Sequence, residues 1–218
     1  SANGLGSRIE ETRISDAQGA ILSTENKTDM ALLGNGFFTL QNLSDNSLSF
    51  TRNGAFGLDE QGFLTTADNH RVLGTPIFED DFGQITGNVD ALLPIQIPSV
   101  REDLVMSELQ IAADGRISAR YGEQEPVPIS SLTLGIFSNP VGLKELGNAR
   151  FSATERSGLL TLGAPMDPGF ADLQIGGLEI SNVNITEELT AMIKAQQQFN
   201  GSARLMQANS DMVEKLTR

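Results

Sequence analysis

Residues able to do chemistry are sparse in this sequence. A single histidine, His70, stands between Asn69 and Arg71 beside an expected turn. An imidazole serves as a base or a metal ligand, but there is no second histidine and no cysteine. A zinc site would then need mostly carboxylates, which is unusual. His70 therefore reads as a surface turn residue. The acidic run Glu79-Asp80-Asp81 could attract Ca²⁺ by charge, but its spacing does not match an EF-hand loop, so it reads as a solvated loop. Glu187 and Glu188 open an expected helix, where the macrodipole accounts for them without catalysis. Gly34-Asn35-Gly36 lacks the third glycine and the following helix of a dinucleotide fingerprint and reads as a turn. Gly-x-Ser-x-Gly does not occur. The expectation is a protein that is not an enzyme, with no cofactor and no metal.

Charge narrows the partners. The net charge is −13, from 28 acidic against 15 basic side chains, with no Lys/Arg cluster. Nucleic acid and anionic membrane surfaces both favour a basic stripe, so neither is expected. No apolar run approaches the ~20 residues of a membrane span, so no insertion is expected. The chain starts at Ser1, and a fragment of a longer protein is expected.

The elements that must carry any function are mainly β. The 22 glycines among 218 residues exceed the usual ~7% and call for many turns. From Met30 to Ile180, short apolar runs alternate with turn signals. Gly36-Phe37-Phe38-Thr39-Leu40 predicts a strand. Ser49-Phe50-Thr51-Arg52 and Ala55-Phe56-Gly57-Leu58 flank Asn53-Gly54, the pair favoured in a two-residue hairpin. Asp59-Glu60-Gln61-Gly62 turns into Phe63-Leu64-Thr65. Leu109 and Ile111, then Ile117, Ala119 and Tyr121, alternate with polar residues about Asp114-Gly115 and predict a second hairpin. Leu132 to Phe137 predicts one central strand ended by Asn139-Pro140, and Leu173 to Ile180 a last strand or pair broken at Gly176-Gly177. Residues before Met30 read as an extended arm or edge strand. With no tryptophan, the core must rest on Phe, Leu and Ile.

The period changes at the C-terminus. Asn184-Ile185-Thr186-Glu187 fits a capping box, and no proline follows, predicting a helix from Ile185 to about Leu216. Ile185, Leu189, Met192, Phe199, Ala203, Met206 and Val213 recur at a 3.5-residue seam, with Ile193 and Leu205 widening it. The predicted division is a β-rich domain over 1–183 with an extended N-terminal arm, and a coiled-coil-type helix over 184–218. An isolated helix is marginal in water. Its seam must pack either on its own sheet or on a helix from another subunit or segment, and the narrow stripe favours the second.

Two stretches carry a resemblance. The first is Asp29-Met30-Ala31-Leu32-Leu33-Gly34-Asn35-Gly36-Phe37-Phe38, with Phe50-Thr51-Arg52-Asn53-Gly54-Ala55-Phe56, Asp59-Glu60-Gln61-Gly62-Phe63-Leu64 and Val72-Leu73-Gly74. The second is Ser181-Asn182-Val183-Asn184-Ile185-Thr186-Glu187-Glu188-Leu189, then Met192-Ile193 and Ala195-Gln196. Together they resemble the bacterial flagellar rod and hook protein family. Gln197 stands where that family often has arginine, and Phe199 where it often has tyrosine.

The resemblance implies a structural subunit that stacks helically into a hollow tube transmitting torque and passing exported proteins. It implies a terminal coiled coil built from both chain ends, with an N-terminal helix that this sequence lacks. It implies other copies of the chain and neighbouring rod and hook proteins, with rod-surrounding rings, as partners. The location implied is the periplasm-spanning basal-body rod or the extracellular hook, reached through the flagellar type III apparatus. Only about 35 residues separate Gly74 from Leu109, too few for the extra domain of many hook proteins, so the chain looks most like the distal-rod branch. A hook or proximal-rod subunit is the alternative. A secreted docking or cap module and an acidic hydrolase are the competing readings from other classes.

Overall fold

The structure is a computed structural model and describes residues 18–77, 92–180 and 185–216. Eighteen short strands precede one helix among these residues. In chain order the first are β1 (Ile21–Ser23), β2 (Met30–Leu33), β3 (Phe37–Asn42), β4 (Leu48–Thr51), β5 (Phe56–Leu58), β6 (Leu64–Thr66) and β7 (His70–Pro76). There follow β8 (Leu93–Pro94), β9 (Val100–Arg101), β10 (Leu104–Ile111), β11 (Arg116–Tyr121), β12 (Val127–Leu132) and β13 (Leu134–Phe137). The last are β14 (Lys144–Gly147), β15 (Arg150–Ser152), β16 (Leu160–Gly163), β17 (Asp172–Ile175), β18 (Gly177–Glu179) and the helix α1 (Ile185–Leu216). The chain divides into two units, one ending at Ile180 and one beginning at Ser181. The mainly β class with a single C-terminal helix agrees with the sequence.

One antiparallel sheet runs β14-β15-β4-β3-β7-β12-β11-β10-β9, with β13 and β16 continuing from β3. Two separate ribbons, β17-β2 and β1-β18, complete the first unit. The alternation of β3 explains its two packed faces. Phe38 and Leu40 enter a large cluster with Met30, Leu64, Ile117 and Leu132. Phe37, one residue out of phase, enters a second cluster with Phe50, Phe137 and Leu143. Edge-to-face contacts order both clusters, Phe38 on Phe56 at 5.0 Å and Phe50 on Phe137 at 4.8 Å. Tyr121 adds to the expected Phe, Leu and Ile core: it is buried, and its hydroxyl donates to the Pro98 carbonyl at 2.9 Å.

The second hairpin forms as expected. Leu109 pairs with Ala119 and Ile111 with Ile117, while Asp114-Gly115 turns the chain with Gly115 at φ +83°. The Asp59–Gly62 turn also forms, between β5 and β6.

Two local expectations are corrected. Asn53-Gly54 does not close a hairpin: β4 pairs with β3 and β15, β5 pairs with β6, and neither central residue has a positive φ. The pair instead carries the chain from one strand system to the next. Leu132–Phe137 is not one strand either. It breaks at buried Thr133, before which β12 pairs with β7 and after which β13 pairs with β3 and β16. At Thr133 the extended chain passes from one set of strand partners to another.

Candidate functional site

The helix is the first candidate. Straight-chain helix formers and the absence of proline let it run Ile185–Leu216 without interruption. The described seam side chains lie in solvent: Leu189 is 53% exposed, Phe199 75% and Met206 72%, and Met192, Ile193 and Ala203 are exposed as well. At 100° per residue these six fall within an arc of about 140°. The side chains of Ile185 and Val213, and the expected cap Asn184, lie outside the described residues. Burying each large side chain of this stripe would contribute roughly 1.5–3 kcal/mol, which the exposed helix forgoes. No second α-helix occurs among the described residues.

The root of the helix is the second candidate. The chain reaches α1 through β18, which among the described residues pairs only with β1, Leu22 opposite Leu178. Arg52 binds this ribbon from the large sheet. Its Nε donates to Glu179 at 3.1 Å, and its Nη1 donates to the carbonyls of Gly34 at 3.0 Å and Gly36 at 3.2 Å. Positive φ at Gly34 and Gly36 turns both carbonyls of the Gly34-Asn35-Gly36 corner to one guanidinium. Around Arg52 the neighbouring residues are equally structural. The Thr51 hydroxyl donates to the Ala149 carbonyl at 2.8 Å and accepts from the Asn53 amide, and the Asn53 side chain accepts from the Ala55 amide.

Comparison with known proteins matches these same regions. The description "Flagellar hook protein FlgE/F/G D1 domain" matches residues 31–119, and "Flagellar basal body rod FlgEFG protein C-terminal" matches residues 174–218. The flagellar basal-body rod protein FlgG of Buchnera aphidicola subsp. Acyrthosiphon pisum is 32% identical over 216 residues, covering 99% of this chain and 74% of that protein. FlgG of Borreliella burgdorferi is 28% identical over 211 residues, covering 96% and 71%. The flagellar hook protein FlgE of Escherichia coli is 32% identical over 107 residues, covering 49% and 27%.

The chain belongs to the flagellar rod and hook protein family. It is an axial structural subunit of the FlgG-like kind, and the family is not enzymatic.

Within this family member, His70 corrects the sequence reading. It is 8% exposed and begins β7; it is not a surface turn residue. Its Nδ1 faces the Asp68 carbonyl at 3.0 Å and its Nε2 meets Nη1 of Arg150. A guanidinium only donates, so Nε2 accepts and the ring proton sits on Nδ1, donating to Asp68. Arg150 also forms an ion pair with the Asp68 carboxylate at 2.9 Å. Burial pushes the Asp68 carboxyl up, but hydrogen bonds from the Thr66 hydroxyl and from its own amide, with the Arg150 charge, hold it below its ordinary 3.8. The adjacent hollow of about 390 Å³ is bounded by Thr51, Asn53, Thr66, Asp68, Asn148 and Arg150. The imidazole lone pair facing Arg150 is occupied and the carboxylate is paired, so this cluster presents no free base. It joins the β6–β7 turn to β15.

No group of three metal-ligating side chains occurs among the described residues, and Glu79-Asp80-Asp81 lies outside them. No described helix is long and apolar enough to cross a membrane. Sequence reasoning found the helix but missed Arg52, Glu179, Asp68 and Arg150. For Arg52 the signal was present, because it sits in the middle of a matched motif. For Glu179 and Arg150 no local pattern marks the residue.

Proposed function

We propose that this chain is a distal-rod subunit that polymerises helically through its C-terminal helix. Ile185, Leu189, Met192, Ile193, Phe199, Ala203, Met206 and Val213 pack against helices of neighbouring subunits, and the β-rich unit forms the outer wall. The exposed apolar seam carries this reading: a helix of this length with its stripe in solvent gains its stability only on association. The near-full-length similarity to FlgG proteins supports the rod position over the hook, since the E. coli hook protein matches only about half of this chain.

The partners are other copies of the chain and the adjoining rod and hook proteins, inside the rod-surrounding rings. The assembled tube transmits torque and conducts exported proteins, and subunits reach it through the flagellar type III apparatus. These roles rest on family membership. The test is a Leu189→Asp, Met192→Asp double variant in the full gene. Rods should be lost while the β unit of the purified protein unfolds at the wild-type denaturant midpoint. Rods of normal number and length in the double variant would overturn the proposal. Gold labelling of isolated basal bodies separates the positions: label on the hook alone would assign the chain there instead.

A further inference from the structure

The strand that leads into the helix is weakly attached. The β1-β18 ribbon shares three residue pairs, Ile21 with Glu179, Leu22 with Leu178 and Ser23 with Gly177. None of its residues belongs to a hydrophobic core cluster, and Leu22 and Ile180 are exposed. The ribbon leaves the body at Gly176, whose φ of +68° bends the chain sharply after β17. At that bend the Gly176 amide donates to the Asp29 carbonyl at 2.8 Å. Beyond it, two described side-chain links reach from the ribbon to the body: Gln18 to the Leu32 carbonyl at 2.9 Å, and Arg52 to Glu179 at 3.1 Å.

Only the Arg52 link is ionic, and it is well built. The Glu179 side chain is 12% exposed and that of Arg52 29%, so solvent screens the pair little. Glu179 uses both oxygens, Oε2 for Arg52 and Oε1 for the Gly19 amide at 2.9 Å. Arg52 in turn is held by two carbonyls of the Gly34-Asn35-Gly36 corner. Glu179 is the third residue past the Gly176 bend, a lever of about 10 Å. A bend at one end and a charge pair at the other make a hinge and a latch.

We propose that Arg52 and Glu179 form a latch that holds the ribbon against the β unit, and that load between the β unit and the axial helix passes through it. The mechanical half rests on the proposed function; the latch itself does not. Arg52 is a positioning residue that acts through Glu179.

The test uses the full-length protein and the single and double variants Arg52→Ala and Glu179→Ala, with Glu179→Gln as the conservative change. Hydrogen exchange of ribbon amides 19–23 and 177–180 should quicken about 10- to 100-fold in Arg52→Ala, the factor expected for a lost charge-assisted hydrogen bond. Amides 117–121 in the core should keep their rates, which also shows that the variant folds. The double variant should open no faster than Glu179→Ala alone, because both remove one interaction. Glu179→Gln, which keeps an acceptor, should fall between wild type and Glu179→Ala. Unchanged ribbon exchange in Arg52→Ala, or additive effects in the double variant, would overturn the latch.

In cells carrying Arg52→Ala, broken hook–filament structures shed in viscous medium should rise several-fold above wild type. Faster ribbon exchange with unchanged shedding would overturn the force-carrying role. Absence of the wild-type chain from rods would defeat the proposed function while leaving the latch to be decided by exchange alone.

Discussion

The Met30 amide donates to the Gly54 carbonyl at 3.0 Å, and a Cβ on Gly54 would come within 1.6 Å of the Met30 oxygen. The two backbones touch with no room for a side chain between them. This contact, and no requirement for positive φ, is why glycine follows Asn53. It brings β2 against the segment that leads into β5, the Asp29–Ala55 bridge lying alongside.

Gly54→Ala should therefore destabilise the β unit by about 3 kcal/mol or more, since the opposing atom is backbone and cannot rotate away. Asn53→Ala, which removes one side-chain acceptor for the Ala55 amide, should cost only about 1 kcal/mol. Urea unfolding of the two variants measures both. A Gly54→Ala midpoint equal to that of wild type would refute the close approach.

Phe38 is fully buried and meets Phe56 edge to face. Phe38→Ala should cost about 3–5 kcal/mol, the range for deleting a buried ring and leaving a cavity. Phe199→Ala, at a side chain 75% exposed in the single chain, should leave the urea midpoint within about 0.5 kcal/mol and reduce rod assembly instead. A Phe199→Ala variant that assembles normally would remove that residue from the seam.

The acid limb of stability should report Asp68. Its carboxyl is held below the 3.8 of an unperturbed group, so in acid the unfolded chain binds more protons than the folded one. The stabilisation is complete well above pH 3.8 and is lost as pH falls through that value toward the lower folded one. Asp68→Asn lacks this contribution. The difference in urea midpoint between wild type and Asp68→Asn should be largest near neutrality and shrink as pH falls from about 5 to about 2. A difference that stays constant over that range would show that the pair with Arg150 adds nothing in its charged form.

Gly201 lies in the helix with nothing within 4 Å of the position a Cβ would take. Gly201→Ala should raise the helicity of the unassembled helix, alanine being favoured by about 1 kcal/mol. If the glycine serves close helix-to-helix approach, the same change should lower rod yield although the helix is stronger. Circular dichroism together with a count of rods distinguishes the two effects. A higher rod yield would mean that the glycine is only a weak point in the helix.

The features legible in the sequence are those coded over a few neighbouring residues. The 3.5-residue seam and the lack of proline defined α1, period-two alternation about Asp114-Gly115 defined the β10–β11 hairpin, and the ordered motifs identified the family. Each depends on backbone periodicity or turn chemistry that a short segment carries within itself. Tertiary structure alone decided what lies between distant segments. Asn53-Gly54 carries a hairpin pattern, yet its glycine is required by Met30, two strands earlier in the chain. His70 has polar neighbours in sequence, yet it is buried because Arg150, 80 residues on, supplies a donor to its ring. Arg52 and Glu179, 127 residues apart, meet only because a corner of two glycines and a bend at Gly176 bring them together. A charge or a glycine matches any complementary site, and only the folded chain selects which one it meets.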